Sequence, residues 1–112
     1  MEHVSLTDVS AELLTEARAS SSGRAPRTLH GGRDHALRQL VLALVADRSL
    51  SDHESPREAT LQVISGHVRL TMNDGDWEGH DGDFVIIPPV RHGLTAVTDS
   101  VVLLSTDVRP VT

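Results

Sequence analysis

Two histidines carry the chemistry this sequence offers. His92 follows the stretch GDFVIIPPVRHG, Gly82 to Gly93, and His53 opens the segment DHESPRE. An imidazole can ligate a metal, hydrogen-bond a ligand or move a proton near neutral pH. Around His53 stand the carboxylates Asp52, Glu54 and Glu58 and the hydroxyl of Ser55. A divalent ion needs three or four such donors on inward-facing positions. Without a metal, His53 and His92 would serve a pocket by hydrogen bonding or proton transfer. Two imidazoles in a shared apolar space disfavour double protonation, because desolvation and like charge act in the same direction.

Other chemistries are absent. The chain has no Cys, which removes disulfides, thiolate nucleophiles and Cys-based zinc sites. No Ser-His-Asp order sits in a nucleophile elbow, and the GGRD and NDGD glycines do not join a strand to a helix N-terminus as a phosphate loop does. A formal net charge of −6 argues against nucleic acid, which is bound through a cationic face. No apolar run approaches membrane-spanning length and no signal pattern opens the chain, so a cytoplasmic protein without membrane contact is expected. All ten basic residues are Arg, and one Phe, one Trp and no Tyr leave an aliphatic core.

The elements that must position the histidines follow from periodicity. Ser5 to Ala19 reads as the single helix. Ser5-Leu-Thr-Asp8 has capping-box spacing, and Val9, Leu13 and Ala17 form an apolar stripe with Leu14 beside it. That stripe is expected on the outside of the main body or on a second subunit. Ser20 to Arg27 reads as a connector. From there the period turns to two, or to continuous apolar runs, cut by turn residues. Expected strands are Thr28–His30, Leu37–Ala46, Thr60–Ser65, His67–Met72, Trp77–Glu78, the run from Phe84 to Pro88, Leu94–Val97 and Val101–Thr106. The run from Phe84 is rich in β-branched residues and reads as buried on both faces, ended by Pro88-Pro89, with His92 held in the loop beyond. Within Leu37–Ala46, one of Arg38 and Gln39 must face the core. An inward Arg38 would need an internal carboxylate or would anchor an acidic small molecule. His30, His35, His67 and His80 read as surface, and Trp77 as core or dimer packing. Short strands at this spacing, with one helix outside the pattern, predict an all-β sandwich or barrel. The division expected is residues 1–26 as helix and connector and 27–112 as the β domain.

The order of these features resembles the cupin family of small jelly-roll barrels. Two motifs over about Asp52 to Gly93 carry the resemblance. The first has the form H-x-H, three or four residues, E, six residues, G. Counting back from Gly66, His53 takes the first His, Ser55 the second and Ala59 the Glu. The second has the form G, five residues, P-x-G, two residues, H. Gly82 and Pro88 match, Val90 stands where Gly is usual, and His92 arrives one residue early. The whole chain is also similar to a group of small bacterial cupin-domain proteins. The resemblance implies a jelly-roll β-barrel with one N-terminal helix, a pocket lined by His53, Ser55, Leu61, Val63, Met72 and His92, and a homodimer. The resemblance also implies His53 and His92 as the metal candidates, with Glu54 or Glu58 as the third ligand; Ser55 and Ala59 replace two family ligands, so any Zn, Fe, Mn or Ni would be weakly held unless Glu54, Glu58 or Gln62 turns inward. The reading this favours is a non-enzymatic module that binds or senses a small molecule. The alternative is a divalent-metal dioxygenase or isomerase acting on a small organic acid or carbonyl compound.

Overall fold

The computed structural model describes residues 1–55 and 58–108. One helix, α1 (Leu6–Ala19), precedes nine strands: β1 (Arg24–His30), β2 (Leu37–Leu44), β3 (Ser49–His53), β4 (Ala59–Ser65), β5 (His67–Met72), β6 (Trp77–His80), β7 (Phe84–Ile86), β8 (His92–Ala96) and β9 (Ser100–Asp107). They pair antiparallel into a five-stranded sheet of order β1-β2-β9-β4-β7 and a four-stranded sheet of order β3-β8-β5-β6. This is the jelly-roll arrangement with one N-terminal helix that the sequence predicts.

Strand alternation sorts each sheet into rows. On the inner face of the five-stranded sheet, register aligns Leu42 with Val102 and Val63, then Leu40 with Leu104 and Leu61, then Arg38 with Thr106 and Ala59. On the inner face of the other sheet the rows are Val68 with Ala96 and Gly79, then Leu70 with Leu94, Leu50 and Trp77, then Met72 with His92 and His53. The first two rows of each sheet are apolar and interdigitate as the main core, where Leu61, Val63 and Val68 are fully buried. Each such side chain contributes about 1.5–3 kcal/mol of burial. Polar groups enter only in the third row, at one end of the sandwich.

The outer face of the five-stranded sheet is covered by the helix. Ser5 caps α1, its Oγ accepting from the Asp8 N–H at 3.2 Å. Val9, Leu13 and Ala17 pack on Ala25, Val41, Ala43 and Val101 in a second core. The stripe is therefore packed within the chain. Asp99, in the turn before β9, ties this layer together. It accepts from the Ala46 N–H and from Arg18 Nε, each at 2.9 Å. Those two bonds hold its carboxyl below the usual carboxylate range, the Ala46 amide being the larger cause.

Four expectations change. The strand from Phe84 is not buried on both faces: β7 is three residues long and is an edge, paired only with β4. Phe84 and Ile86 are 58% and 72% exposed, and only Ile87, just past the strand, is buried in the core. A continuous apolar run reads alike for a central strand and for an apolar edge. His92 does not sit in a loop but opens β8. The connector ends at Gly23, since β1 begins at Arg24, and Pro26 is tolerated because β1 is an edge strand. Finally β3, sequence SLSDH, is a strand the pattern did not show. It has one apolar residue, Leu50, and is an edge of the smaller sheet.

Candidate functional site

The third rows of the two sheets face each other across a cavity of about 290 Å³. Its apolar walls are Leu40, Leu50, Ile87 and Leu104, and its polar groups are His53, His92, Arg38 and Thr106. Ala59 and Val108 complete the lining. The volume lies at the small end of ligand sites, which run from roughly 300 to 1,000 Å³.

His53 and His92 are register partners across β3 and β8, and their rings meet edge to face with centroids 4.6 Å apart. His92 is 4% exposed; His53 stands exposed at the rim. Each ring is oriented by its own backbone. His53 Nδ1 lies 3.1 Å from the Ser51 carbonyl, and His92 Nδ1 lies 2.9 Å from the Val90 carbonyl. A carbonyl only accepts, so both Nδ1 atoms carry hydrogen and donate. In the neutral rings Nε2 is then the acceptor, the tautomer suited to receiving a ligand O–H or N–H or to binding a metal. Gly93 lets β3 approach: a Cβ there would collide with Asp52 Oδ1 and lie 3.1 Å from the Leu50 carbonyl oxygen.

Of the residues named from sequence, the structure brings His53 and His92 together in one cavity. Leu61 and Val63 lie deeper in the core and do not reach its wall. Met72 shares the row of His92 but lines a separate groove with Asn73, Asp76, Pro88 and Arg91. Ser55 is half-buried and outside the cavity wall. Glu54 is turned outward, pairing with Arg91 at 3.3 Å. Glu58 lies on an outer groove with Leu37 and Asp107, and Gln62 is exposed on the outer face. Pro56 and Arg57 of the DHESPRE segment lie outside the described residues. Sequence reasoning missed Leu40, Leu50, Ile87, Leu104 and Thr106. The alternation of LRQLVLAL held the signal for Leu40, because an inward Arg38 carries Leu40 and Leu42 with it.

Comparison with known proteins agrees with this geometry. A protein-family model described as a cupin domain matches residues 41–108, well over half of the chain. The chain belongs to the cupin family. This cupin also superposes on a conserved protein of unknown function from Streptococcus pyogenes, with a TM-score of 0.78 at 24% identity, covering 100% of this chain and 93% of that one. A cupin superfamily protein from Desulfitobacterium hafniense gives 0.66 at 13% identity, covering 76% and 79%. Salicylate 1,2-dioxygenase from Pseudoaminobacter salicylatoxidans, a mutant in complex with gentisate, gives 0.75 at 21% identity, covering 89% of this chain but 32% of that one. These likenesses are of fold. No curated protein matches the sequence.

The cupin fold commonly carries a metal, and the donor set of this member does not fit one held tightly. The inner position that would supply a carboxylate is Ala59, and both neighbouring glutamates face away. Among the described residues no group of three His, Asp or Glu side chains is placed to hold an ion. Arg38 instead puts a fixed positive charge in the same cavity as the two imidazoles.

Proposed function

We propose that this cupin binds a small organic molecule in the cavity between His53, His92 and Arg38, in a binding or sensing role without a resident metal. The observation that carries the reading is the lining itself. Apolar walls can hold a ligand body, while two imidazoles with oriented Nε2 acceptors and one guanidinium can fix its polar groups. The test is a thermal-shift screen of small metabolites on the wild type and on His53→Ala/His92→Ala. A ligand present at 100 times its Kd stabilises by about 2.7 kcal/mol. The reading expects hits whose shift is lost in the double variant, which should itself stay folded because the apolar rows below are untouched. Hits that stabilise both proteins equally refute it.

The second reading is a divalent-metal cupin enzyme acting on a small organic acid or carbonyl compound. The two Nε2 acceptors and the fold shared with a dioxygenase favour it. Metal content measured on untagged protein purified without chelators separates the two. Stoichiometric Zn, Fe, Mn or Ni that disappears in His92→Ala supports the enzyme, and its absence after metal addition and desalting supports the organic pocket. We also propose a homodimer, supported by the bared apolar edge of Phe84 and Ile86.

A further inference from the structure

Arg38 stands on the inner face of a β-sandwich and has no carboxylate partner among the described residues. Register with Thr106 of β9 sends Arg38 inward and Gln39 outward, where Gln39 Nε2 donates to Ser105 Oγ at 3.2 Å. An inward charge on an edge strand can serve to block edge-to-edge pairing, but β2 lies between β1 and β9 over most of its length, β1 pairing with it as far as Gln39, next to Arg38. The chain is rich in acid, with a formal net charge of −6. Yet the ion pairs formed among the described residues occupy Arg18, Arg27, Arg69 and Arg91, and Arg38 is in none of them. No acidic residue lines its cavity among the described residues. Room for the arginine stem is built in at Gly31, where φ is +150° and an added Cβ would stand 3.2 Å from Arg38 Cγ.

We propose that Arg38 is a carboxylate anchor, and that the ligand is a small monocarboxylate whose apolar body lies against Leu40, Leu50, Ile87 and Leu104. The inference rests on the small-molecule reading above and names the ligand class of that site. A guanidinium presents a planar fork that takes a carboxylate through two parallel N–H bonds. With hydrogen on Nδ1, the neutral form of each imidazole offers Nε2 as an acceptor and is the wrong partner for that group. The carboxylate therefore goes to Arg38, and a ligand hydroxyl or N–H goes to His53 and His92.

The experiment measures binding of benzoate and hexanoate, each against its neutral amide, to wild type, Arg38→Gln and Arg38→Lys by calorimetry. Charge-assisted pairing predicts a preference of about ten-fold or more for acid over amide in the wild type. Arg38→Gln should abolish that preference. Arg38→Lys should keep part of it, since the charge remains and the fork is lost. Arg38 is exposed at the cavity mouth, so unliganded melting of both variants should match wild type; should Arg38→Gln fail to fold, Arg38→Lys still decides by its partial loss. Amides bound as tightly as acids, or an acid preference intact in both variants, overturns the Arg38 assignment and leaves the cavity as a binding site. A wild type that binds none of the four also overturns it, and the metabolite screen then judges the cavity by itself.

Discussion

Gly66→Ala tests why a glycine closes the β4–β5 hairpin, the position from which the first motif is counted. Gly66 has φ +104°, a conformation that side-chain-bearing residues avoid, and its N–H donates to Asp81 Oδ1 at 2.6 Å. A Cβ there would collide with Ser100 Oγ and would stand 2.6 Å from the Asp99 carbonyl oxygen and 2.7 Å from Ser100 Cα. Ser100 is fully buried and its Oγ accepts from the His67 N–H, so this neighbour cannot swing aside. Two costs add. The left-handed backbone costs about 1–2 kcal/mol. Forcing a methyl into packed backbone costs about 1–3 kcal/mol more. Gly82 isolates the first cost, because it has φ +84° and nothing within 4 Å of an added Cβ. Thermal melts of Gly82→Ala and Gly66→Ala should then show losses of about 1–2 and about 2–5 kcal/mol. At about 4 °C per kcal/mol, the second variant melts about 8–20 °C below wild type. If Gly66→Ala melts no lower than Gly82→Ala, the close approach of Ser100 carries no cost and the packing argument fails.

The remaining predictions concern the core, the clasp and the surface. Leu61→Ala, in the fully buried row beneath the cavity, should cost about 2–5 kcal/mol in urea unfolding with an unchanged m-value; a loss under 1 kcal/mol would place Leu61 outside the load of the core. Asp99→Asn should cost about 1 kcal/mol at pH 7, through the lost Arg18 pair and a weaker bond to Ala46. Because the folded pKa of Asp99 is depressed, its contribution is present above the ordinary value near 4 and drains away as pH falls through the lower folded value. The melting gap between wild type and variant should thus be steady from about pH 5 to 8 and close below about pH 4; a gap undiminished at pH 3 contradicts the assignment. Deleting residues 1–19 bares Val41, Ala43 and Val101 and should yield an aggregating or sharply destabilised domain, whereas unchanged melting would make the helix dispensable. Phe84→Glu/Ile86→Glu should convert a dimer to a monomer on a sizing column; a wild type that already runs as a monomer refutes the dimer.

What the sequence made legible was what local pattern determines. The cap at Ser5, the Val9–Leu13–Ala17 stripe and the alternation of His67 to Met72 each depend on neighbours a few residues away, and each appears in the structure as read. What it hid depends on partners far along the chain. SLSDH becomes a strand because Leu50 and His53 pair with Leu94 and His92, some forty residues on, and nothing within its own five residues, four of them polar, announces that. The run from Phe84 looks central and is an edge because the sheet's strand order ends there, a property of topology and not of composition.

The site shows the same division. Parity limited the inward residue of β2 to Arg38 or Gln39, and only the register against β9, Arg38 to Thr106, decides between them. That single choice sets the electrostatics of the cavity. Had Gln39 faced inward, the cavity would hold two imidazoles and an amide, a neutral set open to a cation. With Arg38 inward and Ala59 where a carboxylate would stand, the fixed charge of the same wall is positive. A divalent ion is then opposed by a neighbouring guanidinium and lacks an anionic ligand, while a carboxylate gains a fork of donors beside an apolar space. On the proposed reading, Ala59 in the family's carboxylate position and Arg38 in the same cavity therefore act together, both favouring an organic anion over a metal cation.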